Sequence, residues 1–156
     1  MTYDFEWANM LIMNTPKYHL QVLREFFKRR QTATLDQLRE ALSDPARCTV
    51  FRKLGELQYI SSYSHRGKYY TLKCIAQFSV QGLWSWRSVR FSRFGNLLQT
   101  AEAFVQGSEA GYTAAELKEI LQVKTKHALT HLVRDGRVQR EVFDSVYVYL
   151  SAVEPA

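Results

Sequence analysis

Cysteine is scarce in this chain. The 156 residues hold two, Cys48 and Cys74. Two cannot make a disulfide scaffold, and neither has a CxxC neighbour to hold zinc. A reduced, cytoplasmic protein is therefore expected, associated with the nucleoid if bacterial. Long apolar runs are also missing. The longest uncharged stretch lies between Lys73 and Arg87 and includes Gln77, Ser79, Gln81, Gly82 and Ser85, which is too short and too polar to cross a bilayer. The opening Met1-Thr2-Tyr3-Asp4-Phe5-Glu6 has no basic segment of the secretory kind. No GxxxxGK[ST] loop, GxSxG elbow or GxGxxG turn occurs. Acidic residues are fewer than basic ones, 15 against 21, and scattered, so no carboxylate pair is set up for two-metal nuclease chemistry. His127 and His131 stand at i and i+4, but no third ligand or HExxH glutamate completes a metal site. The expectation is a protein that is not an enzyme and needs no metal or cofactor. What is present is globular in composition, 46% hydrophobic and 23% charged. The length suits one ordinary domain or two small ones.

The positive charge is segregated. Residues 1–16 carry a net −2, residues 17–90 a net +9 from 14 basic and 5 acidic side chains, and residues 91–156 a net −1. The whole excess of +6 lies in the first half. Charge needed only for solubility has no reason to cluster, whereas attraction of phosphates requires a concentrated field.

The chain also repeats itself. Thr34-Leu35-Asp36-Gln37-Leu38-Arg39-Glu40-Ala41-Leu42 lies against Thr113-Ala114-Ala115-Glu116-Leu117-Lys118-Glu119-Ile120-Leu121 at an offset of 79. Each begins with a threonine able to cap a helix and places apolar residues at i and i+4. At an offset of 78, Phe51, Leu54, Gln58 and Ile60 lie against Leu129, Leu132, Gly136 and Val138. That pattern predicts an amphipathic helix, a turn and a strand. Residues 60–72 and 138–150 then alternate aromatic or β-branched residues about a polar centre, the pattern of a hairpin. The tips fall at His65-Arg66-Gly67-Lys68 and Phe143-Asp144-Ser145. A helix precedes each unit. One starts at Thr15-Pro16 with Leu20, Leu23, Phe26 and Phe27 on one face. The other carries Leu97, Leu98, Ala101, Phe104 and Val105 and ends at Gly107.

Three helices followed by a hairpin, with Val50-Phe51-Arg52-x-Leu54-x2-Leu57-x-Tyr59-Ile60 and Tyr69-Tyr70-Thr71-Leu72 in the first unit, resemble the winged helix-turn-helix superfamily in its MarR- and ArsR-like form. Ala128-Leu129-x2-Leu132-Val133-x-Asp135-Gly136-x-Val138 and Tyr147-Val148-Tyr149-Leu150 repeat the pattern. The resemblance implies an α+β, mainly helical fold of two tandem winged-helix units. Residues 17–76 form the first, 77–93 an ordered aromatic-rich connector that welds the units, and 94–152 the second; 153–156 are a tail. Gln58 stands where the first helix usually ends in glycine.

The same resemblance implies sequence-specific binding of double-stranded DNA by a transcriptional regulator. Helix 45–57, capped by Asp44 and opened by Pro45, would enter the major groove, and wing 61–71 would lie on the adjacent backbone or minor groove. Arg47, Cys48, Thr49, Arg52, Lys53 and Glu56 are expected outward, with Val50, Phe51, Leu54 and Leu57 inward. The wing tip offers Ser64, His65, Arg66 and Lys68. In the second unit Lys124, Thr125, Lys126, His127, Thr130, His131 and Arg134 face outward, but Glu141 and Asp144 at its wing repel phosphate. Weaker DNA contact or a protein contact is expected there. The connector alternates, with Trp84, Trp86, Ser88 and Arg90 on one side and Arg87, Val89, Phe91 and Arg93 on the other. The apolar N-terminal segment Phe5–Met13 is a second route to a homodimer or a protein partner. The contrasting reading is an accessory winged-helix module of a transcription or mobile-element complex that does not bind DNA by itself.

Overall fold

Thr34 and Thr113 cap helices as their spacing predicts. The Thr34 hydroxyl accepts from the Gln37 N–H at 3.3 Å, and the Gln37 side chain accepts from the Thr34 N–H at 3.0 Å, a closed capping box. Thr113 accepts from the Glu116 N–H at 3.1 Å. The structure is a computed structural model that describes residues 16–152, and the side chains from Leu20 onward. Thr15, the segment Phe5–Met13 and the tail 153–156 lie outside the described residues.

In the first unit α1 (Pro16–Arg30) is followed by β1 (Ala33–Thr34), α2 (Leu35–Ala41), α3 (Arg47–Glu56), β2 (Tyr59–Ser61) and β3 (Tyr69–Leu72). A hairpin of β4 (Leu83–Trp86) and β5 (Val89–Ser92) comes next. The second unit runs α4 (Leu97–Gln106), β6 (Tyr112–Thr113), α5 (Ala114–Leu121), α6 (Lys126–Arg134), β7 (Val138–Phe143) and β8 (Val146–Ser151). The fold is α+β, with six α-helices and small sheets among the described residues. No described helix is long and apolar enough to cross a membrane. By contacts the chain divides into two compact units. One runs to Ser79 and includes Trp84–Phe91; the other takes Val80–Leu83 and the residues from Ser92 onward.

The two sheets have the same order. β3 lies between β1 and β2, and β8 lies between β6 and β7. Their registers coincide at one offset. Thr34 pairs Tyr69 and Tyr59 pairs Leu72; Thr113 pairs Val148 and Val138 pairs Ser151. The offset is 79 in every case, so Tyr59, not Ile60, corresponds to Val138. The shift has a local cause. Gly136 and Arg137 separate the α6 cap from its strand, whereas Gln58 alone does so after α3.

Each unit has its own apolar core. Leu23, Phe27, Leu38, Val50, Leu54 and Leu72 are fully or almost fully buried in the first; Ala101, Val105, Leu117, Leu129, Leu132 and Tyr149 in the second. Burying each large apolar side chain contributes about 1.5–3 kcal/mol. These cores, rather than the exposed ion pairs at about 0–1 kcal/mol each, hold the units.

Three expectations are corrected. The expected helix 45–57 spans Arg47–Glu56, with Ala46 at its cap and no capping side chain. Asp44 has a positive φ of 58° and turns its carboxylate to Arg39, 3.0 Å away, so it does not cap α3. Arg39 also donates to the Pro45 carbonyl at 3.2 Å and so pins the turn between α2 and α3. Third, the stretch around Trp84–Arg93 is not one alternating strand. The chain reverses at Arg87–Ser88, which brings Trp84 onto Phe91 with ring centroids 5.5 Å apart.

Gln58 occupies the left-handed conformation at φ 57°, as Gly136 does at 73°. A side chain in that conformation costs about 1–2 kcal/mol, and glycine loses about 0.5–1 kcal/mol more chain entropy on folding. Gln58→Gly should therefore stabilise the first unit by up to ~1 kcal/mol, read as a raised urea midpoint. A lowered midpoint would mean that the Gln58 side chain contributes more than its backbone costs.

Candidate nucleic-acid interface

The helical stripe of α3 decides which residues can be reached. Val50 and Leu54 point into the core, and position 53 is three residues beyond Val50, on the same face. Lys53 is accordingly only 5% exposed. It does not belong to the outward set in which the sequence placed it; its aliphatic stem is packed, and no buried polar side-chain atom is left unpartnered among the described residues. Arg47, Cys48, Arg52 and Glu56 are exposed, and Thr49 is half-buried.

Arg47 is placed by aromatic packing. Its guanidinium lies over the Phe51 ring at 5.5 Å. Phe51 in turn meets Tyr59 at 6.1 Å and Tyr70 at 5.6 Å, and Tyr59 meets Tyr70 at 5.8 Å. This cluster joins α3 to β2 and β3. Burial, with the neighbouring Tyr59, pushes the Tyr70 hydroxyl above its ordinary pKa of 10.0, against the opposing pull of Arg47.

The tip between β2 and β3 is partly covered. Ser62, Tyr63 and Ser64 are buried. The Tyr63 N–H donates to the Arg90 carbonyl at 2.9 Å, and the Ser64 hydroxyl accepts from the Arg90 N–H at 2.9 Å. Ser64 is therefore not on the exposed tip; strand β5 covers it. His65, Arg66 and Lys68 remain exposed. They stand on a tight turn in which His65, Arg66 and Gly67 have φ of 53°, 55° and 72°. The His65 ring packs edge-on against Tyr69 at 5.2 Å, and its Nδ1 lies 2.9 Å from the Ser64 hydroxyl. Arg47, Arg52, Arg66 and Lys68 have no acidic partner among the described residues; the ion pairs of the first unit are Lys28–Glu25 and Arg39–Asp44.

The second unit is built alike but charged differently. Lys124, Lys126, His127 and Arg134 are exposed, and Thr130 is half-buried. Thr125 is buried, donating from its hydroxyl to the Ala114 carbonyl at 2.9 Å. It pins the turn between α5 and α6, as Arg39 does in the first unit, and so is not an outward residue. His131 is engaged too, its Nε2 3.1 Å from the Asp135 carboxylate. The β7–β8 hairpin turns through Asp144 and Ser145, both at positive φ, the pattern of a type I′ turn. Val142, Phe143, Val146 and Tyr147 stand exposed beside it, and Arg140 lies over the Tyr147 ring at 4.2 Å. Its cation is therefore shared with an aromatic face.

Arg29, Arg30 and Arg87, outside the residues expected from the sequence, line one cavity of the first unit. The run Lys28-Arg29-Arg30 closing an otherwise amphipathic helix was a visible signal. Arg87 gave none, because its position depends on the hairpin reversal.

Burial also pushes the Tyr63 hydroxyl above 10.0, against the opposing charge of Arg90. The neutral form of both phenols is thus favoured by folding. Their contribution to stability is complete below pH 10 and is lost as pH rises from there through the folded-state values. An alkaline titration followed by phenolate absorbance should show Tyr63 and Tyr70 ionising above pH 10, and stability falling over the same range. Tyr63→Phe with Tyr70→Phe should flatten that fall.

No protein-family model, no curated protein and no solved structure matches this chain.

Proposed function

We propose that the chain binds double-stranded DNA sequence-specifically as a transcriptional regulator built from two tandem winged-helix units, the first dominant. The repeated order helix–strand–helix–helix–strand–strand, with the third strand between the first two, supports the winged-helix reading of each unit. In that reading α3 enters the major groove and the β2–β3 tip lies on the adjacent backbone or minor groove. Arg47 and Arg52 can fork onto guanine or phosphate, and His65, Arg66 and Lys68 meet phosphates. The observation that carries the proposal is the set of exposed cations on this helix and this tip without acidic partners among the described residues. Lys124, Lys126, His127 and His131 form a secondary contact, weakened by the Asp135 pairing of His131. The site is non-enzymatic and requires no cofactor, and the chain acts in the cytoplasm.

A second reading is favoured by the β7–β8 hairpin. Val142, Phe143, Val146 and Tyr147 are about half exposed or more, with Glu141 and Asp144 among them. An apolar, acidic tip suits a protein partner or a second copy of the chain better than a phosphate backbone. In this reading the chain is an accessory module.

Fluorescence anisotropy of a random-sequence duplex separates the two. The regulator reading predicts binding whose logarithm falls linearly with the logarithm of salt concentration, by about 0.9 per phosphate contacted. Arg52→Ala with Arg66→Ala should reduce that slope by roughly 2 and weaken binding by tenfold or more. Absence of binding at low salt contradicts it and leaves the accessory reading.

A further inference from the structure

A cavity of about 280 Å³ lies within the first unit, on elements other than α3. Arg29 and Arg30 reach it from the last turn of α1, Gln37 from the first turn of α2, Tyr69 from β3, and Trp86 and Arg87 from the β4–β5 hairpin. No carboxylate lines it. None of the three arginines has an acidic partner among the described residues. Arg29, Arg30 and Arg87 are all exposed, so water and salt screen their mutual repulsion, and a phosphate between them would meet forked donors with no competing carboxylate in the lining. The negative end of the α1 dipole accounts for Arg29 and Arg30 near the helix C-terminus. It does not account for Arg87. That residue opens a two-residue hairpin turn at φ 57°, a place where glycine is normally preferred.

The walls add a second kind of contact. Trp86 stacks on Trp84 with centroids 6.4 Å apart and planes 28° from parallel, and Trp84 packs on the buried Phe91. The indole is thereby braced and remains only half-buried at the cavity. Tyr69 is fixed by its edge contact with His65. The Gln37 carbonyl oxygen is used in the capping box, so its amide nitrogen is the end left to donate. The cavity therefore combines forked cationic donors with braced aromatic surfaces. Its volume is near the lower end of small-molecule sites, about 300 Å³.

We propose that this cavity binds a nucleotide, with Arg29, Arg30 and Arg87 holding the phosphate and Trp86 stacking on the base. The inference rests on the cavity and is independent of the α3 reading. The phosphate ester can belong to a free mononucleotide or to a nucleic-acid strand, and the test distinguishes them. Isothermal titration of the full chain with adenosine 5′-monophosphate at low salt should show binding. Adenosine and inorganic phosphate should each bind more weakly by about tenfold or more, since each lacks one half of the contact. Arg87→Ala should weaken the nucleotide about tenfold, whereas Lys118→Ala, an equal change of charge in the second unit, should leave it unaltered. Trp86→Ala should lower the affinity for the nucleotide but not for inorganic phosphate. In the Arg52→Ala/Arg66→Ala variant, where α3 and the tip contribute little, competition by a single-stranded oligonucleotide with a 5′-hydroxyl end would support the phosphate site and assign it to a nucleic-acid strand; binding without such competition would support it and assign a free nucleotide. Failure of the nucleotide to bind, or equal binding to a folded Arg87→Ala variant, would overturn the proposal.

Discussion

Two hydrogen bonds at Arg90 set the working surface of the first unit. The Arg90 carbonyl accepts from the Tyr63 N–H, and the Arg90 N–H donates to the Ser64 hydroxyl, both at 2.9 Å. A third bond, from the Ser62 hydroxyl to the Ser64 carbonyl at 2.7 Å, completes the buried polar set. Ser62, Tyr63 and Ser64 are buried and Arg90 is half-buried, so leaving one of the buried groups without its partner costs about 1–3 kcal/mol. The lock has two consequences. It presents His65, Arg66 and Lys68 from a stiff base, and it fixes the β4–β5 turn that carries Trp86 and Arg87. The exposed tip and the arginine-lined cavity are thus two products of one constraint.

The two units reuse one scaffold with different surfaces. Their sheet registers coincide at a single offset, and both pin the turn before the third helix with one side chain, Arg39 or Thr125. Their cations are disposed differently. In the first unit Arg47, Arg52, Arg66 and Lys68 form no ion pair among the described residues, and contact with phosphate would release counterions rather than break such pairs. In the second, Arg137 is paired with Glu102 at 3.0 Å, and the His131 Nε2 lies 3.1 Å from the Asp135 carboxylate. The exposed apolar side chains of β7 and β8 are the complementary difference. One scaffold thus carries a strongly basic surface in the first copy and an exposed apolar hairpin in the second.

Much of this was legible from residue spacing because caps and helical stripes are local. Thr34, Thr113 and the β7–β8 tip fall where the pattern puts them, and the capping box of Thr34 and Gln37 closes as the sequence allows. The errors were of another kind. Lys53 is charged, and charge suggested an outward position, yet three residues after Val50 it can only lie on the core stripe. Asp44 has the residue type of a cap but is taken by Arg39, five residues earlier, through a turn geometry that no residue pattern reveals. Ser64 and Arg87 were misplaced or passed over for one reason. Both depend on β5 returning to the β2–β3 tip, a pairing between residues 26 apart that the alternation of Trp84 to Arg93 disguised as a single strand. Site residues set by local periodicity were readable; those set by a long-range strand contact were not.

We propose that the third helix and tip of the first unit form a nucleic-acid surface, and backbone amide chemical-shift perturbation on adding a duplex tests it. The largest shifts should fall on Arg47–Glu56 and on His65 to Lys68, with smaller ones at Lys124 to His131. Shifts confined to the β7–β8 hairpin, or spread evenly over both units, would contradict it.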